Sequence, residues 1–169
     1  EIDMIKNRSL QRVYIVSACR TPIGKTAGSL SSISDVDMAA LAINEAVRRA
    51  GIEACQADGA YVGCCFPAES YNLARKAILR AGIDSSVPGA TINRTCCSSL
   101  EALVQGARQI MTGDAGVIIV GGVENMSRSH HVMANAIKSM RTRTNGELPA
   151  LHEIDRRSLL DEVGLGVEL

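Results

Sequence analysis

Short apolar runs alternate with longer stretches of helical periodicity along this chain, and that alternation restricts it to a fold built from crossover units. Val13-Tyr14-Ile15-Val16, Ala60-Tyr61-Val62-Gly63, Ala90-Thr91-Ile92 and Val117-Ile118-Ile119-Val120 read as strands. The last is continuously apolar, the pattern of a parallel strand buried on both faces. Between the first two, Ser34 followed by Asp37 makes a capping-box-like start. Val36, Ala39, Ala40, Ile43, Val47 and Ala50 then recur at helical spacing until Gly51 closes the helix. A second helix is expected from near Ser70, with Leu73, Ala74, Ala77, Ile78 and Ala81 on one face before Gly82, and a third from roughly Cys97 to Thr112. The order gives an α/β fold with a mainly parallel sheet and helices on both faces.

The third helix differs from the others. Its polar stripe is confined to Glu101, Gln105, Arg108 and Gln109, while apolar and small residues occupy the remaining sides, so it is expected to be covered nearly all round. Gly106 in mid-helix costs about 1 kcal/mol relative to Ala, which points to another backbone passing close by. Residues 1–11 are polar and aperiodic and read as a mobile arm, 12–126 as the α/β domain, and 127–169, where periodicity weakens and Asn145-Gly146 marks a turn, as a separate excursion.

In open parallel sheets functional groups gather at the carboxyl ends of the strands. Cys19, Cys64, Cys65, Cys96, Gly121 and Glu124 all fall there. Cys96 and Cys97 stand where a strand gives way to a helix. Unpaired N–H groups and the positive end of the helix dipole favour a thiolate at such a point, below the ordinary cysteine pKa of about 8.5. Either sulfur is a candidate nucleophile, against the commoner role of free cysteine as a buried core residue. The Cys64-Cys65 and Cys96-Cys97 pairs lack the Cys-x-x-Cys spacing of zinc or redox sites, so no metal is expected. Gly24-Lys25-Thr26 imitates the end of a phosphate-binding loop, but Cys19 stands where that motif needs its first glycine. Glu124 and Asn125 are expected to anchor a loop by hydrogen bonds. His130 and His131 read as solvated and receive no role.

Lys plus Arg and Asp plus Glu both number 18 and aromatic residues make up 2%, so neither a nucleic-acid partner nor base-stacking is indicated. No apolar run approaches the roughly 20 residues of a membrane span, and the first residues lack a signal-peptide core. Six cysteines without a framework spacing read as free thiols, and with these a cytoplasmic, reducing compartment is expected.

Ile92-Asn93-Arg94-Thr95-Cys96-Cys97-Ser98-Ser99, together with Arg20-Thr21-Pro22-Ile23-Gly24-Lys25 and Gly121-Gly122-Val123-Glu124-Asn125-Met126-Ser127, resembles the amino-terminal half of a thiolase. The resemblance runs from about Val13 to Ser127 and more loosely onward. It implies a thiolase-like fold of two similar halves whose central helices pack together in a five-layer sandwich, this chain being the first half plus a truncated part of the loop excursion. Its pattern Asn-x-x-Cys-x-Ser places the nucleophile on Cys96, whose backbone N–H would contribute to an oxyanion hole, and leaves Cys97 to packing. The implied chemistry is acyl transfer between a cysteine and coenzyme A: thiolysis of a β-ketoacyl-CoA or the reverse condensation, as in lipid metabolism, with CoA a substrate and no permanently bound cofactor. The family's proton-transferring cysteine and its histidine belong to a carboxyl-terminal half. The chain alone is therefore expected to be inactive in turnover, acylated slowly at most, and to need a homodimer, a tetramer or a partner chain supplying that half. Gly63-Cys64-Cys65-Phe66-Pro67-Ala68-Glu69 resembles the family's interface segment but departs from it at Cys64, Pro67 and Glu69, and Gly164-Leu165-Gly166-Val167 roughly matches a CoA-side loop. A non-catalytic thiolase-like subunit or scaffold is one alternative. A ketoacyl-synthase-type condensing enzyme is another, opposed by the segments at 20–25 and 121–127.

Overall fold

A computed structural model describes residues 10–130. All of these except His130 belong to one unit, Glu1–Ser129, and His130 begins a second, His130–Leu169. Helix α1 spans Asp35–Ala50, strand β1 Gly59–Gly63, α2 Leu73–Arg80, β2 Gly89–Ile92, α3 Ser98–Thr112 and β3 Ile118–Gly122, with single 3-10 turns at Ala54–Gln56 and Met126–Arg128.

Local chemistry sets the ends of α1. The Ser34 hydroxyl accepts from Asp37 N–H at 3.0 Å and donates to the Asp37 carboxylate at 2.9 Å. Asp35 and Asp37 lie at the positive end of the dipole, Arg48 and Arg49 at the negative end, and Gly51 closes the helix at φ 67°. The second helix starts later than expected. Asn72, whose side chain accepts from Arg75 N–H at 3.1 Å, is its N-cap, and Ser70 lies before it.

The three strands are parallel, in the order β2-β1-β3, with Gly63 beside Ile92 on one side and Gly122 on the other. Alternation along the strands sends Ala60, Val62 and Ile119 to one face, where Val36, Ala39, Ala40 and Ile43 of α1 and Leu73, Ala74, Ala77 and Ile78 of α2 complete the core. Leu73 and Ile78 are fully buried, each stabilising the fold by about 1.5–3 kcal/mol. The other face carries α3, so close that a Cβ on Gly106 would lie 2.5 Å from Val120 Cγ1 and 2.9 Å from Ile118 Cγ2. The neighbour that excludes a side chain at Gly106 is thus a pair of strand side chains, not the backbone that the sequence suggested.

Three other expectations are corrected. Residues 13–16 form no strand: they line an apolar gap of about 150 Å³ facing α1, α3 and β3, with Tyr14, Ile15 and Val16 each 70% exposed or more. Strand pairing needs backbones about 4.8 Å apart, and the gap prevents it. β3 is half-buried instead of covered on both faces, because among the described residues it is an edge strand. Helix α3 is covered on one side only, through Ser98, Ala102 and Gly106, while Leu100 and Leu103 face outward. Its two apolar sides need two covers: the sheet provides one, and the segment at 13–16, set off by the apolar gap, does not complete the other.

Candidate active site at the strand ends

The crossover from β1 to β2 runs through α2 on one face, and the crossover from β2 runs through α3 on the other. Adjacent strands whose following helices leave to opposite faces open a crevice at their carboxyl ends. The residues at the mouth of this crevice are Cys64-Cys65 after β1 and Asn93 to Cys97 after β2. The backbone geometry here depends on glycine. A Cβ on Gly63 would lie 2.7 Å from Ser98 O and closer still to Ser98 C and Ser99 N, and one on Gly122 would overlap the Ser99 side chain. Two glycines on neighbouring strands therefore seat the first turn of α3 against the sheet. The sequence reading assigned Gly63 no such role; its signal was a glycine inside a strand, which marks a close backbone approach.

The turn between β2 and α3 is tightly tied. Thr95 holds φ 50°, a left-handed conformation that a β-branched residue rarely adopts. Its N–H donates to Asn93 Oδ1 at 3.1 Å, and its carbonyl accepts from Ser98 N at 3.1 Å and from Ser98 Oγ at 2.6 Å. Ser98, itself buried, accepts from Arg94 N–H at 2.8 Å, and Arg94 forms an ion pair with Glu101. Cys96 follows Thr95 and is exposed. Cys97 is the N-cap of α3 and is exposed as well, so it is not the packing residue expected. Side chains cap α1 and α2, whereas none caps α3. Ser98 N–H is taken up by Thr95 O, and the N–H groups that follow it have no side-chain cap.

The two cysteines after β1 diverge. Cys64 is buried, its thiol 3.8 Å from both oxygens of Glu124, and burial, reinforced by that carboxylate, pushes it up to about 12. Cys65 donates to Thr95 O at 2.9 Å and lies 3.7 Å from Ser98 Oγ, with burial raising its pKa. Both are held as thiols. Glu124 accepts from Cys65 N–H at 2.8 Å and Phe66 N–H at 3.2 Å, and buried Asn125 donates to Ile33 O at 2.7 Å. These are the loop-anchoring roles expected of them. Asp35, which the sequence reading passed over, is buried and accepts from Val36 N–H and Ala68 N–H, each at 2.8 Å. It ties α1 to the loop after β1.

Cys19 does not join this cluster; its thiol donates to Ala42 O at 3.0 Å on α1. Among the described residues no group of three or more His, Cys, Asp or Glu side chains is placed to hold a metal ion. The loop at 20–25 lines a separate cavity of about 290 Å³ with Glu124, Asn125 and Ser127. Ala27 N–H donates to Ser127 Oγ at 2.8 Å, which fits a structural loop. His130 is exposed; His131 and Gly164-Leu165-Gly166-Val167 lie outside the described residues.

The family described as Thiolase, N-terminal domain, matches residues 13–157. The chain belongs to the thiolase family. It is 43% identical over 129 residues to the β-ketoadipyl-CoA thiolase of Pseudomonas knackmussii, covering 75% of this chain and 32% of that protein. Among solved structures it is similar to the acetyl-CoA acetyltransferase of Bacillus anthracis, with a TM-score of 0.76 and 30% identity over 94% of this chain and 44% of that one. A thiolase from Ascaris suum, solved in complex with coenzyme A, aligns with a TM-score of 0.69 and 32% identity over 72% of this chain and 32% of that one. The chain thus spans about a third of the length of the curated relatives it matches. The thiolase fold accounts for the parallel sheet with helices on both faces. No helix among the described residues is long and apolar enough to cross a membrane.

Proposed function

We propose that this thiolase domain carries the nucleophile of an acyl-CoA acyltransferase, and that the nucleophile is Cys96. The observation that carries the reading is the pair of exposed thiols at the uncapped start of α3, on the lip of the crevice between β1 and β2, of which the Asn-x-x-Cys-x-Ser pattern selects Cys96. The Cys96 thiolate attacks the keto carbon of a β-ketoacyl-CoA. The bond between the α and β carbons breaks, its electron pair leaves with the acetyl-CoA fragment and takes up a proton, and the acyl group stays on sulfur as a thioester. The thiol of a second CoA then displaces Cys96. Run in reverse, the steps condense two acyl-CoAs. The backbone N–H of Cys96 belongs to the oxyanion hole, and CoA is a substrate, consistent with the CoA complex of the Ascaris suum relative. The outward Leu100 and Leu103 of α3 support assembly with a further thiolase half or a second copy. Six free thiols support a reducing, cytoplasmic setting.

Incubation of the chain with acetyl-CoA, followed by peptide mapping, tests the reading through one thioester exchange that releases CoA. Acetyl on the Cys96 peptide is expected, abolished by Cys96→Ala and retained within a few-fold by Cys97→Ala. Equal losses from both substitutions overturn the assignment.

A further inference from the structure

The left-handed Thr95 immediately precedes Cys96, and the side chain that holds Thr95 N–H in place is Asn93. Asn93 does more than close that short turn. Its Oδ1 accepts from Thr95 N–H at 3.1 Å while its Nδ2 donates to Cys65 O at 3.0 Å, so one amide spans both lips of the crevice. The far lip is itself fixed, because Glu124 accepts from Cys65 N–H and Phe66 N–H. From β3 to the turn before α3 the ties run Glu124, Cys65 backbone, Asn93, Thr95 N–H. A second tie, from Cys65 Sγ to Thr95 O at 2.9 Å, joins the same two lips. Strained backbone persists only where its surroundings over-determine it, and here three separate groups do so.

We propose that Asn93 is a positioning residue: it ties the turn bearing Cys96 to the end of β1 and so sets where the Cys96 sulfur stands relative to the first N–H groups of α3. Without its Oδ1, Thr95 has no side chain holding its N–H, and the turn relaxes toward ordinary negative φ. Cys96, the next residue, then loses its fixed position ahead of α3. A glutamine or a charged side chain cannot substitute, since the bond to Thr95 closes over two residues, a carboxylate has no donor for Cys65 O and an ammonium has no acceptor for Thr95 N–H. The inference rests on Cys96 being the nucleophile.

The test is the rate of carbamidomethylation of each thiol by limiting iodoacetamide in the full chain, read by peptide mapping. Cys19 and Cys55, on other parts of the surface, serve as internal standards. Asn93→Ala is expected to slow Cys96 roughly tenfold relative to those standards, as loss of the two hydrogen bonds that orient the turn implies. Asn93→Ser keeps an acceptor for Thr95 N–H without reaching Cys65, and is expected to recover part of the rate. Cys65→Ala retains the carbonyl that Asn93 binds and loses only the Sγ tie to Thr95 O, so it is expected to slow Cys96 less than Asn93→Ala does; slowing as large as that of Asn93→Ala overturns the role given to the amide. Cys96 labelling unchanged in Asn93→Ala, or slowed no more than Cys19 and Cys55, overturns the positioning role and leaves Cys96 as nucleophile intact. If Cys65 or Cys97 is labelled ahead of Cys96 in the unsubstituted chain, the nucleophile assignment falls and takes this inference with it.

Discussion

Gly63→Ala is a small change placed where the structure has no room for it. The added methyl would stand 2.7 Å from Ser98 O, against 3.4 Å for the inner limit of ordinary contact, and nearer still to Ser98 C and Ser99 N. All three are backbone atoms in the first turn of a helix, so no flexible side chain can yield. The start of α3 and the end of β1 must separate by roughly 0.7 Å or more. Overpacking of this kind costs about 1–3 kcal/mol. Gly122 crowds the same turn from the next strand, so the helix cannot simply slide sideways. A shift approaching 1 Å at a reacting group costs up to about a hundredfold in rate. Urea unfolding and acetylation of Cys96 by acetyl-CoA would be measured in parallel, with Gly59→Ala as the control on the same strand. There the new methyl meets Ile118 Cδ1 at 3.4 Å, ordinary contact, and a change within about 0.5 kcal/mol is expected. If Gly63→Ala matches Gly59→Ala in both stability and acetylation rate, the glycine seat is not what positions α3 and the reasoning fails.

Gly106→Ala gains about 1 kcal/mol of helix propensity but drives a methyl into Val120 and Ile118; a net destabilisation of about 1–2 kcal/mol is expected from denaturant unfolding, and a more stable variant would show that β3 yields. Cys64 holds its proton more tightly folded than unfolded, with a folded value of about 12, so its contribution is complete below the ordinary thiol pKa and fades as pH rises toward 12. Unfolding titrations should show that alkaline loss reduced in Cys64→Ala; an unchanged slope would count against it. Glu124→Gln replaces one of two accepting oxygens by a donor facing the N–H groups of Cys65 and Phe66, and is expected to cost about 1–3 kcal/mol and to slow acetylation of Cys96. Wild-type stability and rate in that variant would remove Glu124 from the account of how the crevice is held.

Elements whose ends are written in local chemistry could be read from the residues alone. Ser34 and Gly51 bound α1 because a hydroxyl one turn from an N–H and a glycine at positive φ need no distant partner. The runs at 60–63, 90–92 and 117–120 became parallel strands within a residue or two, and the cysteine at the strand-to-helix turn stood out because that junction recurs in sequence. Tertiary structure decided the rest. The segment at 13–16 has the composition of a strand and none of its pairing, since pairing depends on which backbone lies alongside. The exposure of both Cys96 and Cys97, the burial of Cys64 beside Glu124, and the Asn93 bridge to Cys65 join residues from about 30 to 60 positions apart or depend on how such segments meet. Gly63 and Gly122 show the same division. A glycine announces that something comes close; only the packed sheet, by bringing α3 across the ends of β1 and β3, shows that it is the first turn of the helix behind Cys96. Local propensity acts through bonds that reach three or four residues, whereas a site at the ends of parallel strands is assembled across crossovers, and its geometry exists only once the sheet has formed.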